Sequence, residues 1–251
     1  MADFAALSER LEKSLGLTTA PVAVSFLTAT PSNIEQPQKP VAAGCSFWEL
    51  GSTKALATTA DHHRFCSIGI HTHNLSGAPD SQADELGTTL AAMQGLDYVR
   101  PDEVATLPVM QNATECVVYQ PLHEVVDTPP SVVLMFAHAG QGLIVSEALS
   151  RVDGEVPAAM GRPACAIIPQ VLNSSRSAAS LGCCGARAYL DMLSDDITLW
   201  ALFGKKLEAY TDEIETLAKA NVVLRQFHEL RRADILSGAT PSVTESLGRL
   251  R

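Results

Sequence analysis

Six cysteines are spread along this chain of 251 residues, and four of them lie close to glycines in the sequence. The four are Cys45 after Gly44, Cys66 before Gly69, Cys165 after Gly161, and Cys183 after Gly182. They are separated by 20, 98 and 17 residues, so any site that joins them must be assembled by the fold from distant segments. Thiolates beside bare backbone can surround a compact inorganic group that bulkier neighbours would block. The cysteines therefore predict a metal or cluster site.

Charge and hydropathy narrow the class of protein. The formal net charge is -10, which repels phosphate backbones and acidic membranes, so we expect neither nucleic-acid nor membrane binding. The most apolar window, residues 132–137, is far shorter than the roughly 18 residues of a membrane span. The first residues show no basic segment followed by an apolar run, so we expect no secretory leader and a cytoplasmic location. In that compartment disulfides are disfavoured, so we interpret the cysteines as core residues, redox thiols or metal ligands.

Hydrophobic periodicity predicts an α+β fold, with a mixed sheet flanked by helices. Helices are expected over residues 4–15, 47–59, 81–93 and 140–150, and strands over 21–27, 115–120, 131–137, 164–168 and 187–192. An apolar stripe near heptad spacing predicts a long amphipathic C-terminal helix over 207–232. This helix either covers the sheet or pairs with a second copy in a homo-oligomer. We expect one domain over 1–236 and a loosely held tail over 237–251.

The spacing of the cysteines bears on the kind of metal. No pair shows the C-x2-C knuckle that is typical of structural zinc. Scattered ligands are found at catalytic metals and at some iron–sulfur clusters. Two other interpretations remain: the cysteines are ordinary small core residues, or they act as nucleophilic or redox thiols.

Four motifs in a fixed order resemble a known family. They are Cys45-x2-Trp48-x2-Gly51, Asp61-x4-Cys66-x2-Gly69, Gly161-x3-Cys165, and Ser180-x-Gly182-Cys183-x-Gly185-x-Arg187. Together they resemble the family called domain of unknown function 169 (DUF169), over about residues 15–195. The resemblance implies that Cys45, Cys66, Cys165 and Cys183 are the recurrent cysteines of that family, with Cys184 as an alternative to Cys183. It implies a cluster or metal and no particular activity.

Arginines and histidines near the four cysteines are further candidates for the predicted site. Four buried thiolates need cationic iron, backbone N–H groups and arginines to offset their charge, and Arg64, Arg162 and Arg187 each lie within four residues of a candidate ligand. Of these, Arg187 is assigned to the cofactor site. Four histidines flank Cys66, and they are either ligands or merely solvated: His62, His63, His71 and His73. An extended His71-x-His73 segment would point both rings the same way.

These observations predict an iron–sulfur protein, most simply with a [4Fe–4S] cluster, that performs redox or Lewis-acid chemistry on a small molecule. Four cysteine ligands would favour electron transfer with a redox partner, whereas three would leave one iron open to substrate. The alternative is a non-catalytic protein that binds zinc, another metal or haem for sensing, storage or delivery. The sequence does not choose a substrate or reaction.

Overall fold

The computed structural model describes residues 2–126 and 129–250, which form a seven-stranded mixed sheet with helices on both faces. The strands are β1 (Val22–Leu27), β2 (Leu56–Thr58), β3 (Cys116–Pro121), β4 (Val132–His138), β5 (Ala158–Met160), β6 (Ala178–Ser180) and β7 (Ile197–Phe203). The helices are α1 (Phe4–Leu15), α2 (Ser46–Gly51), α3 (Ser67–Thr72), α4 (Ser81–Gly95), α5 (Pro101–Ala105), α6 (Ala139–Asp153), α7 (Ile167–Ser174), α8 (Cys184–Tyr189), α9 (Leu207–Leu236) and α10 (Val243–Gly248). The predicted fold class is confirmed.

The strand order is β2-β3-β1-β4-β7-β6-β5. Neighbouring strands are antiparallel, except that β5 and β6 run parallel. Successive side chains of a strand point to opposite faces, and β4 shows this clearly. Its residues Val132, Leu134 and Phe136 face one core, whereas Val133, Met135 and Ala137 face the other. The sheet thus separates two apolar layers.

The first layer contains the long helices. Helices α1, α6 and α9 cover this face, and α9 packs against both of the others. The side chain of Asp3 accepts a hydrogen bond from the Ala6 N–H at 3.0 Å and so caps the start of α1. Gly16 ends the helix in the left-handed region at φ 65°, a conformation that glycine adopts without strain.

A buried carboxylate joins the same layer. The side chain of Asp153, 3% exposed, lies 2.7 Å from Lys206 Nζ and accepts a hydrogen bond from Tyr210 OH at 2.8 Å. It also accepts from the Ser177 N–H at 3.0 Å. A buried charge needs such partners, so Asp153 links the end of α6 to α9 and to the start of β6.

The second layer consists of short helices and loops, and it contains the candidate site. Side chains of α2, α3, α7 and α8 pack there against one face of the sheet. Much of this layer therefore consists of connections between strands, which is where binding residues are most often found.

Three predicted elements were wrong. The predicted helix over 47–59 ends at Gly51, where the backbone packs closely on β3: a Cβ would lie 2.7 Å from Tyr119 Cβ, and the chain then forms β2. The predicted strand over 164–168 is a 3-10 turn followed by α7, and the predicted strand over 187–192 is replaced by α8. Short apolar runs do not distinguish a buried strand from a buried helix. Strands β2, β5, β6 and β7 were not predicted.

The C-terminal part contains more structure than the sequence predicts. Helix α9 extends to Leu236, and α10 follows with a Ser242 cap. The guanidinium of Arg231 donates to the Pro241 carbonyl at 2.9 Å, which ties the tail back to α9. Met1 and Arg251, the ends of the predicted domain and tail, lie outside the described residues. Among the residues described, no helix is both long enough and apolar enough to span a bilayer.

Candidate metal centre

Four chain segments deliver the predicted cysteines to the second layer. Cys45, Cys66 and Cys183 stand directly before α2, α3 and α8, respectively. Cys165 lies in the 3-10 turn before α7. We call Cys45, Cys66, Cys165 and Cys183 the cysteine group. Cys45 and Cys165 are buried, Cys66 and Cys183 are partly exposed, and all four are free thiols.

The thiols of the cysteine group lie within electrostatic reach of one another. Burial, followed by the charges of the neighbouring Cys66 and Cys183 thiolates, raises the pKa of the Cys45 thiol to about 12. The pKa of Cys165 is also raised, first by burial and then by Cys66, with smaller contributions from Cys45 and Cys183. Cys165 thus responds to the other three members of the group, and Cys45 responds to Cys66 and Cys183. A site that holds these residues as thiolates must supply compensating positive charge.

Two glycines expose bare backbone beside these sulfurs. A Cβ added to Gly69 would lie 2.9 Å from Cys66 Sγ. A Cβ added to Gly44 would lie 2.6 Å from His63 Nδ1 and 3.7 Å from Cys66 Sγ. Since a Cβ does not approach other heavy atoms below about 3 Å, a side chain at either position would displace its neighbours. Glycine at these two positions therefore lets the backbone pack closely against Cys66 and His63.

Hydrogen bonds position two of the sulfurs. The hydroxyl of Thr72 lies 3.5 Å from Cys165 Sγ, within donating distance. The backbone N–H of Ala186 donates to Cys183 Sγ at 3.4 Å. Hydrogen bonds to sulfur stabilise a thiolate and tune the potential of a bound cluster. In the described parts of the chain, no three His, Cys, Asp or Glu side chains are grouped closely enough to hold a single metal ion.

Buried polar side chains next to the cysteine group lack partners. Within residues 2–126 and 129–250, His63 Nδ1, both ring nitrogens of His73, and Tyr119 OH have no hydrogen-bond partner. The rings of His63 and His73 lie 6.4 Å apart, and those of His63 and Tyr119 lie 6.3 Å apart. Buried polar groups in proteins are nearly always satisfied, so an unsatisfied set suggests a missing ligand, ion or water.

The environment perturbs these three groups strongly. Burial lowers the pKa of His73 to about 4 and that of His63 well below its usual range, with smaller effects from neighbouring histidines on His63. Both rings are therefore neutral at physiological pH. Burial, followed by the charges of Cys165, Cys66 and Cys45, raises the pKa of Tyr119 well above its usual range. The phenol stays protonated and can donate a hydrogen bond.

The remaining predicted residues lie in several places. His62 Nδ1 accepts a hydrogen bond from the Thr59 N–H at 3.0 Å, and His71 is exposed. His71 and His73 lie on and just after α3, not on an extended segment, so the prediction that their rings point the same way was wrong. The guanidinium of Arg187 donates to backbone carbonyls, including those of Leu181 and Ser194, and so holds the segment before Cys183.

The other two arginines and the other two cysteines also have defined partners. Arg64 pairs with Asp61 at 3.4 Å, and Arg162 pairs with Glu103 at 3.4 Å. Cys116 packs with Ala57 and Val118 in a small separate core on the face of β3 opposite to Tyr119. The Cys184 sulfur is exposed and lies 3.3 Å from Tyr98 OH.

A cavity of about 480 Å³ adjoins Cys183 and Cys184. Most of its other lining residues are Leu, Ile, Val, Met and Pro. Its polar lining residues include Tyr98, Glu103 and Arg162, and the Arg162 guanidinium lies 4.5 Å from the centre of the Tyr98 ring. Mostly apolar concave sites with a few polar groups are typical of small-molecule binding.

Sequence reasoning missed Thr72 and Tyr119. The alternation of side chains along a strand could have identified Tyr119. On a strand that begins with Cys116, residue 119 lies on the face opposite to Cys116. Nothing local in the sequence marks Thr72, which meets Cys165 from 93 residues away.

The fold and the site define a three-layer α/β/α protein with a group of four cysteines on one face of its sheet. The family model described as Uncharacterised ArCR, DUF169, matches residues 10–211. The chain belongs to this family, and the predicted resemblance is confirmed. The match includes the whole cysteine group and ends near the start of α9. Neither a search of curated proteins nor a search of solved structures finds a match.

Proposed function

We propose that this protein binds an iron–sulfur cluster through Cys45, Cys66, Cys165 and Cys183 and uses it for redox or Lewis-acid chemistry on a small molecule. The observation that carries the proposal is that four thiols from four distant segments lie near one another, close enough for Cys66 and Cys183 to raise the pKa of both Cys45 and Cys165. Ordinary core cysteines do not need to meet in this way. Glycine at residues 44 and 69 lets bare backbone lie directly beside Cys66, with no side chain in between.

The spacing of the donors favours a cluster over a single ion. A tetrahedral zinc site holds each sulfur about 2.3 Å from one ion, which brings the sulfurs within roughly 4 Å of each other. In the part of the chain that the structure describes, no three candidate ligands are this close. Cys66, Cys45 and Cys183 nevertheless raise the pKa of Cys165, so the four thiols are near neighbours without meeting at one point. A polynuclear cluster fits such a spacing, because each thiolate binds a different iron.

The cavity beside Cys183 supports a role for a small molecule. Cys183 belongs to the cysteine group and also lines the cavity, so a bound molecule would lie directly beside the centre. The apolar lining suits a substrate with a mainly apolar body, and Arg162 and Tyr98 suit a polar group at one end. When bound, the cluster would supply electrons or, with one iron open, a Lewis acid.

The second candidate is a metal-binding protein without catalysis, with zinc or haem in the same place for sensing, storage or delivery. The buried neutral imidazoles of His63 and His73 favour it, since neutral imidazole is a common ligand of both zinc and haem iron. Both candidates require reduced thiols, which suits a cytoplasmic location. A homo-oligomer formed through α9 stays a prediction.

Anaerobic purification of the full chain, followed by iron, sulfide and zinc analysis and a visible spectrum, separates these candidates. The proposal expects about four irons and four sulfides per chain and a brown chromophore that bleaches on reduction. Stoichiometric zinc without sulfide, or a haem spectrum, would favour the second candidate. Protein that holds no iron after anaerobic incubation with ferrous iron and sulfide would refute the proposal.

A further inference from the structure

The segment of residues 84–108, which contains most of α4 and all of α5, packs unlike the other helices. Every residue in it is exposed or only partly buried. Helices of globular proteins usually bury an apolar face against a core. Here five apolar side chains line the cavity of about 480 Å³ instead: Leu90, Met93, Val99, Val104 and Leu107. We call residues 84–108 the α4–α5 segment.

The rest of the cavity wall belongs to the layer that contains the cysteine group. Ile68 of α3, Met160 at the end of β5 and Cys183 line the cavity and pack against the core of that layer. The α4–α5 segment and this wall thus enclose a space that no side chain of either fills. Its volume lies within the range of about 300–1,000 Å³ that is usual for small-molecule sites.

The ends of the α4–α5 segment are fixed to the body of the protein. Just before it, Gln82 Nε2 donates to the Arg64 carbonyl at 2.7 Å. Just after it, the Met110 N–H donates to the Thr72 carbonyl at 2.9 Å. Both acceptors lie close to Cys66 in the sequence, so the segment begins and ends beside the candidate centre.

The middle of the segment is held more weakly. Tyr98 OH lies 3.3 Å from Cys184 Sγ, and Glu103 pairs with Arg162 at 3.4 Å. In the part of the chain that the structure describes, Tyr98 and Glu103 are the only side chains of the segment that hydrogen-bond outside it. Exposed contacts of this kind contribute little stability, and segments with few buried apolar contacts open locally at low cost.

The polar groups of the cavity indicate the charge of its ligand. Glu103 and Arg162 are the charged residues of the lining, and they pair with each other. An ionic ligand would therefore lose its hydration without finding an unpaired counter-charge. A neutral ligand avoids this cost. Tyr98 OH and the Cys184 thiol can exchange their mutual contact for a hydrogen bond to one hydroxyl, carbonyl or amine group of such a ligand.

We propose that the α4–α5 segment is a lid that closes over a neutral, mainly apolar small molecule with one polar group. The ligand supplies the apolar contacts that the segment lacks. This inference rests on the proposed function for the ligand's role as substrate, whereas binding and closure depend on the cavity alone. Closure beside Cys183 would exclude water from the side of the centre that the ligand contacts.

Two fluorescent probes that share one aromatic frame test the ligand class. N-phenyl-1-naphthylamine is neutral and has one N–H group, and 8-anilino-1-naphthalenesulfonate adds a sulfonate to the same frame. Both are titrated into the full chain after anaerobic purification. We expect the neutral probe to bind at one site per chain, about tenfold or more tightly than the sulfonate, because the cavity offers no unpaired cation. Equal or tighter binding of the sulfonate would overturn the inference.

Two substitutions in the same segment locate the bound probe. Met93 lines the cavity, whereas Leu96 is 79% exposed and lies outside the lining. We expect Met93→Gln to weaken binding of the neutral probe about tenfold, because its amide would lack partners in an apolar cavity. Leu96→Gln should bind like wild type. Equal affinity in the two variants would show that the probe binds elsewhere and would overturn the inference.

Hydrogen exchange measured by mass spectrometry tests closure on the wild-type chain, so it does not depend on the folding of a variant. We expect the neutral probe to slow exchange over residues 84–108. Unchanged exchange at saturating probe would contradict the lid. Probe binding and iron content are measured separately, so the two proposals can fail separately. A chain that holds iron but does not bind the neutral probe overturns this inference alone, and a chain that binds the probe but no iron overturns the proposed function alone.

Discussion

Cys66 is the residue on which the candidate site most depends. Its sulfur lies beside the bare backbone of Gly44 and Gly69, and its charge raises the pKa of Cys45 and Cys165. Cys116 offers a matched contrast, since it is buried on the opposite face of β3 in a small apolar core. Substitutions at these two cysteines therefore distinguish the loss of a metal ligand from a disturbance of core packing.

We predict that Cys66→Ser loses the chromophore and that Cys116→Ser keeps it. Loss of one direct ligand should weaken cluster binding by more than the roughly tenfold that is typical of losing an outer-shell partner. Cys116→Ser should instead lower the free energy of unfolding by about 1–3 kcal/mol, because a hydroxyl enters an apolar core. Iron analysis and urea unfolding measure the two effects. Equal iron retention in both variants would refute the assignment of Cys66.

A second residue-scale prediction concerns two helical glycines. Gly69→Ala places a methyl group 2.9 Å from the unshifted Cys66 Sγ, whereas Gly185→Ala meets no heavy atom within 4 Å. Both changes favour a helix by about 0.5–1 kcal/mol. We expect iron content to fall in Gly69→Ala and to stay at the wild-type level in Gly185→Ala, with both proteins folded by circular dichroism. Full iron content in Gly69→Ala would show that the metal centre does not require glycine beside Cys66.

At the scale of elements, an ion-pair network joins α1 to α9. The guanidinium of Arg10 contacts Glu215 at 2.7 Å and Asp212 at 2.6 Å, and Lys219 contacts Glu215 at 2.8 Å. Hydrogen bonds from Lys219 and then Arg10 lower the pKa of Glu215 to about 2. The pairs are partly solvated, so their contribution to stability is modest.

The depressed pKa of Glu215 gives a pH-dependent prediction. Its stabilising contribution is fully present above the unfolded-state pKa of about 4.5 and is lost as the pH falls toward about 2. We expect Glu215→Gln to lower the urea midpoint at pH 6 and to differ less from wild type near pH 2.5. Glu229→Gln is the control, because Glu229 pairs with Arg225 inside α9 and joins no second helix. A difference that is equal at both pH values would contradict the prediction.

At the scale of the whole molecule, the cysteine group comes from four chain segments that pack on one face of the sheet. A cluster bound to all four would stabilise the native state, because it binds the folded chain and not the unfolded one. At a ligand concentration of about 100 times Kd, the stabilisation is about 2.7 kcal/mol. For a chain of this size it corresponds to a rise in Tm of roughly 5–10 °C.

We therefore expect anaerobic iron removal with a chelator to lower the Tm of the loaded protein by about that amount. The Cys66→Ser protein serves as the control, since it should melt at the same temperature with and without chelator. Differential scanning calorimetry measures both. An unchanged Tm after complete iron removal would mean that the metal does not tie these segments together.

Local patterns predicted the long helices and strands β1, β3 and β4 well. The stripe of Phe4, Leu7, Leu11 and Leu15 and the final Gly16 define α1, and β-branched runs locate β3 and β4. The strand prediction for residues 164–168 was wrong because five apolar residues fit a buried strand and a buried helix equally well. Its true state depends on the sheet face against which α7 packs, which is not local information.

The sequence by itself determined the fold class, the family and the four cysteines, because these depend on periodicity and on residues in a fixed order. Only the tertiary structure decided that the four thiols share one environment and that the backbone of Gly44 and Gly69 packs beside Cys66. The physical reason is chain separation: contacts between residues as distant in the sequence as Cys45 and Cys183 depend on how the sheet and its layers pack, and no local pattern encodes them.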